Sequence, residues 1–145
     1  MDSGAGKKRS VPPAAGADGQ LLYKLLGLHF EYDDRRQVCS VVAPVVEVML
    51  SPGGVVHGGI ITYLAHTCMG HLCFRCTGIA HVAVGFNVQF VAPVPPGRIG
   101  AEARVVKKGA RLLFVECEVK HLGEAGSEAL AAKVTGTFYR PAQRP

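Results

Sequence analysis

One stretch of this chain constrains its fold more than any other. Residues 58–75 hold Ile60, Ile61, Tyr63, Leu64, Ala65, Cys68, Met69, Leu72, Cys73 and Phe74 at spacings that cover nearly the whole circumference of a helix. A helix that is apolar on almost every side is a buried one. After Gly78 the pattern changes to period two, and residues 81–91, 100–107, 111–121 and 129–139 each alternate as strands. Lys108-Gly109-Ala110 and Gly123-Glu124-Ala125-Gly126 separate the last three. Connections that short call for antiparallel hairpins. Upstream, residues 20–26 suit a short helix stopped by Gly27, and residues 28–32 a strand that turns at Asp33-Asp34. Residues 37–44 and 45–50 are β-rich, with Pro44 marking a bulge or an edge. The expectation is an α+β domain in which an antiparallel sheet wraps one central buried helix.

At 145 residues there is room for one such domain, assigned here to residues 19–139. Residues 1–18 are small, polar and rich in Pro and Gly, and are expected to form a flexible N-terminal tail; residues 140–145 form a C-terminal one. Gly4-Ala5-Gly6-Lys7 lacks the first glycine and the following Ser or Thr of a phosphate loop, so it is not read as a nucleotide site. The formal charge of +5 is concentrated outside the domain, in Lys7, Lys8, Arg9, Arg140 and Arg144. A domain so nearly balanced is not expected to bind nucleic acid. No uninterrupted apolar run is long enough to span a membrane and no signal-like stretch opens the chain, so the expected location is cytoplasmic. Cys73-Phe74-Arg75-Cys76 has the Cys-x-x-Cys form without a second ligand pair, and no metal site is expected from it.

Chemistry is carried by the turn that feeds the buried helix, Val56-His57-Gly58-Gly59-Ile60-Ile61. Two glycines at a helix start allow close approach by a ligand, and first-turn amides lack helical partners at the positive end of the helix. Such a turn can polarise a carbonyl. It can equally be a structural entry to the helix, capped by His57.

The order of elements together with this turn resembles the hotdog fold, and specifically the PaaI-type acyl-CoA thioesterases. Val88-Gln89-Phe90-Val91-Ala92-Pro93-Val94 with Gly97, the basic hairpin from Val105 to Arg111, and Ala131-Ala132-Lys133-Val134-Thr135-Gly136-Thr137-Phe138 extend the likeness over roughly residues 20–139. The resemblance implies a homodimer or homotetramer, an acyl-CoA substrate and no cofactor beyond the coenzyme A that the substrate carries. It also implies site positions. Gly58 and Gly59 would polarise the thioester carbonyl, His57 would shape the turn, and Ser51 stands where the family has an assisting Asn six residues before the His. The family's Asp or Glu, nine residues after the His, is His66 here, and the helper hydroxyl on the next strand is expected at Ala83. Nine residues span about 13.5 Å of helix, which suits a site shared between two subunits, as the family has it.

No Asp or Glu occurs from Val48 to Ala101, so no shift of register can supply the acid. Three readings stay open. His66 acts as general base, with Thr62 one turn earlier orienting it; an acid comes from elsewhere, such as Glu47; or the chain binds acyl-CoA without hydrolysing it. His66 can also be a buried structural histidine, hydrogen-bonded to a carbonyl or across a dimer interface. Lys107, Lys108 and Arg111, with Arg104 as a weaker candidate, could meet the phosphates of coenzyme A. His71 and His81 read as ordinary polar positions.

Overall fold

A computed structural model describes residues 17–142. It contains α1 (Ala17–Leu26), β1 (His29–Asp33), β2 (Val38–Pro44), α2 (Gly58–Thr77), β3 (Val82–Phe90), β4 (Arg98–Lys108), β5 (Leu112–Leu122) and β6 (Glu128–Tyr139). The six strands form one antiparallel sheet in the order β1-β2-β4-β5-β6-β3. The β4–β5 and β5–β6 connections are the expected hairpins. β3 instead crosses to the far edge, where it pairs only with β6.

Period two in the sequence becomes two faces of this sheet. In β5, Leu113, Val115, Cys117 and Val119 are buried, whereas Phe114 and Glu116 between them face outward. Against the inner face lies α2, which buries Ile61, Leu64, Ala65, Cys68, Met69, Leu72 and Cys73. Ile61, Leu64, Met69 and Leu72 each contribute about 1.5–3 kcal/mol through removal from water, so α2 is the centre of the core. Gly78, at φ +75°, adopts the left-handed cap that ends it, with Gly78 N–H donating to the Phe74 carbonyl at 2.7 Å.

Three boundaries differ from the sequence reading. Residues 45–50 are not a strand: Glu47–Met49 is a 3-10 turn, and Leu50 makes only an isolated bridge to Val56. Pro44 ends β2, after which Val45 N–H bonds the Gly97 carbonyl at 2.7 Å and draws the chain out of the ladder. Burial of Met49 then outweighs the β propensity of its valine neighbours. α1 begins at Ala17, inside the segment read as a tail; Ala17 is a good helix former. The rest of that tail, and residues 143–145 of the C-terminal one, lie outside the described residues. α2 runs on to Thr77 rather than stopping at Arg75, since Gly78 is the first residue that breaks it.

Candidate active site

The turn at the start of α2 is held from both sides. His57 N–H donates to the Met49 carbonyl at 2.8 Å, and Val56 N–H to the Val94 carbonyl at 2.9 Å. Upstream, both the amide and the hydroxyl of Ser51 donate to the Val55 carbonyl, at 2.8 and 2.9 Å. The Ser51 hydroxyl proton therefore closes the loop that leads into the turn.

His57 is the helix N-cap, and its Nδ1 accepts from Gly59 N–H at 2.8 Å. The Gly59 amide is thus engaged within the chain and is not a free donor, unlike the expectation from sequence. An imidazole that accepts at Nδ1 carries its proton on Nε2. The His57 carbonyl takes the amides of Ile60 and Ile61, at 2.9 and 3.2 Å. Of the first amides of α2, the Gly58 N–H is left without a partner among the described residues. Two donors remain at this helix end: Gly58 N–H and His57 Nε2–H, on an exposed side chain.

His66 lies two turns further along α2. Its ring packs 4.8 Å from the Phe86 ring and 6.2 Å from that of Phe138, and burial lowers its pKa below the ordinary imidazole value. Desolvation disfavours the charged ring, so the form that can accept a proton prevails at neutral pH. No hydrogen bond reaches this ring among the described residues. Thr62 does not orient it, because the Thr62 hydroxyl donates to the Gly58 carbonyl at 2.9 Å.

β3 runs beside this half of α2 in the opposite direction. Phe86, Val88 and Phe90 stand opposite the buried Gly136, Val134 and Ala132 of β6 and so lie on the side of the inner face. Phe86 reaches His66 and Phe90 reaches Gly58, where the ring tip lies 3.1 Å from the place a Cβ would occupy. Gly58 and His66 are thus separated by about 12 Å of helix. A single chain does not bring them to one atom.

The basic hairpin sits at the other end. Leu112 of β5 and Val82 of β3 both stand opposite Tyr139, which puts the turn between β4 and β5 where α2 ends. Lys108 Nζ donates to the Cys76 carbonyl at 3.4 Å and Arg111 to the Tyr139 hydroxyl at 3.5 Å, while Lys107 is exposed. Arg104 pairs with Glu102 and Glu116, at 3.2 and 3.8 Å. Glu47 is exposed in the 3-10 turn whose last residue, Met49, bonds His57, so it belongs to the glycine end of α2. Ala83 contributes no hydroxyl to the strand. Burial, then the nearby Cys76, pushes the Cys73 thiol up to about 12, which leaves it unreactive.

His71 is more than the ordinary polar residue read from sequence. It stacks on Phe30 with centroids 4.1 Å apart and bridges two phenols, with Nε2 at 3.1 Å from the Tyr23 hydroxyl and Nδ1 at 2.8 Å from that of Tyr32. Burial lowers its pKa to about 4. Arg75 lies over the Tyr32 ring at 5.0 Å and makes two hydrogen bonds to Asp34. This network ties α1 and β1 to α2 and lies apart from the glycine turn. Only the rule that a histidine on an apolar helix needs partners could have signalled it.

Comparison with known proteins bears on what this geometry serves. The thioesterase superfamily profile matches residues 53–128, which include the glycine turn, α2, β3 and both basic hairpin strands. The chain belongs to the thioesterase superfamily. A Pseudomonas aeruginosa protein that bears the name of an esterase is 30% identical over 123 residues, covering 83% of this chain and 88% of its own. Among solved structures, the Escherichia coli PaaI protein of the phenylacetic acid degradation operon superposes with a TM-score of 0.74 at 24% identity, over 86% of this chain and 87% of that one. A Bacillus halodurans protein solved with CoA does so with a TM-score of 0.72 at 27% identity, over 85% and 80%. The sheet and its buried helix are the hotdog fold of the thioesterase superfamily. No helix among the described residues is long and apolar enough to cross a membrane.

Proposed function

We infer that this protein hydrolyses acyl-CoA thioesters at a site shared by two copies of the chain, with Gly58 N–H and His57 Nε2–H holding the thioester oxygen and the partner's His66 activating water. The observation that carries this reading is the antiparallel run of β3 against α2, with Phe90 on Gly58 and Phe86 on His66. β3 is an edge strand whose other side is unpaired among the described residues, and it exposes Val82, Val84 and Phe90, with Val84 59% and Phe90 57% accessible. An edge of this kind invites pairing with another strand. Two copies joined through β3 about a two-fold axis near Val88 bring the partner's Phe86 opposite Phe90. The partner's His66 then comes to Gly58, the approach one chain alone does not achieve. The same axis carries the partner's Lys107, Lys108 and Arg111 toward the glycine end, where they would meet the phosphates of coenzyme A.

In this arrangement the donors stabilise the charge that develops on the carbonyl oxygen. The neutral imidazole takes the proton from water as oxygen attacks the carbonyl carbon, and when the C–S bond breaks the imidazolium returns that proton to the departing sulfur, which releases the free thiol of coenzyme A and a carboxylic acid and restores the neutral ring. The chain from Val48 to Ala101 lacks a carboxylate, and that favours one rival reading, a protein that binds acyl-CoA without cleaving it. A panel of acyl-CoAs separates the two, with binding followed by calorimetry and thiol release by a chromogenic disulfide. Release of thiol with at least one member is the expected result. Binding throughout the panel without thiol release assigns the protein to the rival, and His66 then has no catalytic part.

A further inference from the structure

Phe90 is large, apolar and 57% exposed, so its ring is not part of the core. It nevertheless packs on Gly58, whose amide has no partner among the described residues. From the place of a Cβ at Gly58, the ring atoms Cζ, Cε1 and Cε2 are 3.1, 3.3 and 3.8 Å away. Helical Cβ positions lean toward the helix N-terminus, the direction in which first-turn amides also point. The ring therefore stands beside the path of any group that hydrogen-bonds Gly58 N–H. A carbonyl oxygen about 2.9 Å from that nitrogen holds its carbon, and the two groups on that carbon, within reach of the ring. One of those groups leads to the phosphates of coenzyme A and is drawn to cationic side chains. The other is the acyl carbon, and it is the apolar partner for an apolar ring.

We propose that Phe90 limits the bulk allowed on the acyl carbon next to the thioester, so that unbranched acyl groups are accepted and α-branched ones are excluded. This rests on the thioesterase reading above. A methyl branch at that carbon occupies the space of the ring edge, whereas a straight chain leaves past it. Removal of the ring opens the space without touching either hydrogen-bond donor or His66.

The test compares butyryl-CoA with isobutyryl-CoA, isomers that differ only in this branch, using the full-length parent, Phe90→Ala and Phe90→Leu. The kcat/KM ratio of branched to straight substrate should rise about tenfold or more in Phe90→Ala, the scale at which a pocket discriminates one methyl group, and by less in Phe90→Leu. An unchanged ratio in variants that keep the parent's circular dichroism overturns the proposal. If Phe90→Ala does not fold, the Leu variant decides by the same ratio. If the parent cleaves neither of these two, the same comparison is made with the straight and α-branched forms of an acyl-CoA that the panel shows it to cleave; if no member of the panel releases thiol, the thioesterase reading fails, and the role of Phe90 is read from binding. The ratio of dissociation constants for the corresponding ketone analogues, with sulfur replaced by methylene, then shifts toward the branched analogue in the variants or, unshifted, overturns it.

Discussion

His66→Ala is expected to lower acyl-CoA turnover by about 10²–10⁴-fold, the contribution typical of a positioned general base. The fold should survive, because the ring is only partly buried against Phe86 and Phe138 and holds no hydrogen bond among the described residues. Burial lowers the pKa of His66, so the base-competent ring gains population through a pH below 6.5 and is saturated at neutrality. The parent's kcat/KM should accordingly climb on the acid side and level off near pH 7, and the residual activity of the variant should lack that limb. Stopped-flow or continuous thiol assays across pH 5–8 read both features. If His66→Ala turns over at the parent rate, the base is another group; Glu47→Gln is the next variant to assay, since Glu47 is the acidic residue at the glycine end of α2.

The second large effect concerns stability rather than turnover. His71 has a pKa of about 4 in the folded chain because burial among Phe30, Tyr23 and Tyr32 disfavours its charge. In the unfolded chain it returns to about 6.5. Between these values the unfolded state binds more protons, so stability falls as pH falls, by about 3 kcal/mol across the window. His71→Phe keeps the ring stack but abolishes the titration, and it leaves two phenol hydroxyls without their partner. At pH 7 the parent should be the more stable of the two by about 1–3 kcal/mol for each buried group orphaned. That advantage should shrink steadily toward pH 4. Urea unfolding of both proteins at pH 7, 5.5 and 4 checks it, and a constant difference would mean that His71 does not titrate with folding.

Much of this structure is legible in the sequence. Alternation in β4, β5 and β6 and the apolar circumference of α2 arise from burial on one sheet face and on all sides of one helix, and both are local signals. Residues 45–50 misled because valines favour strands, while Pro44 and the Gly97 carbonyl are what steer that segment. The site was legible in part. His57, Gly58 and Gly59 are a contiguous motif, but which amide stays free depends on a His57 rotamer that no spacing encodes. Thr62 lies one turn before His66, which made it a fair candidate for orienting the ring, yet the Gly58 carbonyl is nearer to hand. The partners of His71 lie 48 and 39 residues away in sequence, so only the docking of α1 and β1 on α2 brings them together.

The central claim is that one chain supplies Gly58 and the other His66, and subunit mixing tests it most directly. His66→Ala lacks the base, and Gly58→Val drives a branched side chain into the Phe90 ring, whose edge lies only 3.1 Å from the place of a Cβ, and crowds the path to the Gly58 amide. Each variant alone should be inactive. Co-refolded in equal amounts, about half the dimers are mixed and each of these holds one intact site, so about a quarter of the parent activity should return. Recovery of that size is the predicted result. A mixture that forms mixed dimers, shown by native mass spectrometry, yet stays as inactive as its components would contradict the shared site.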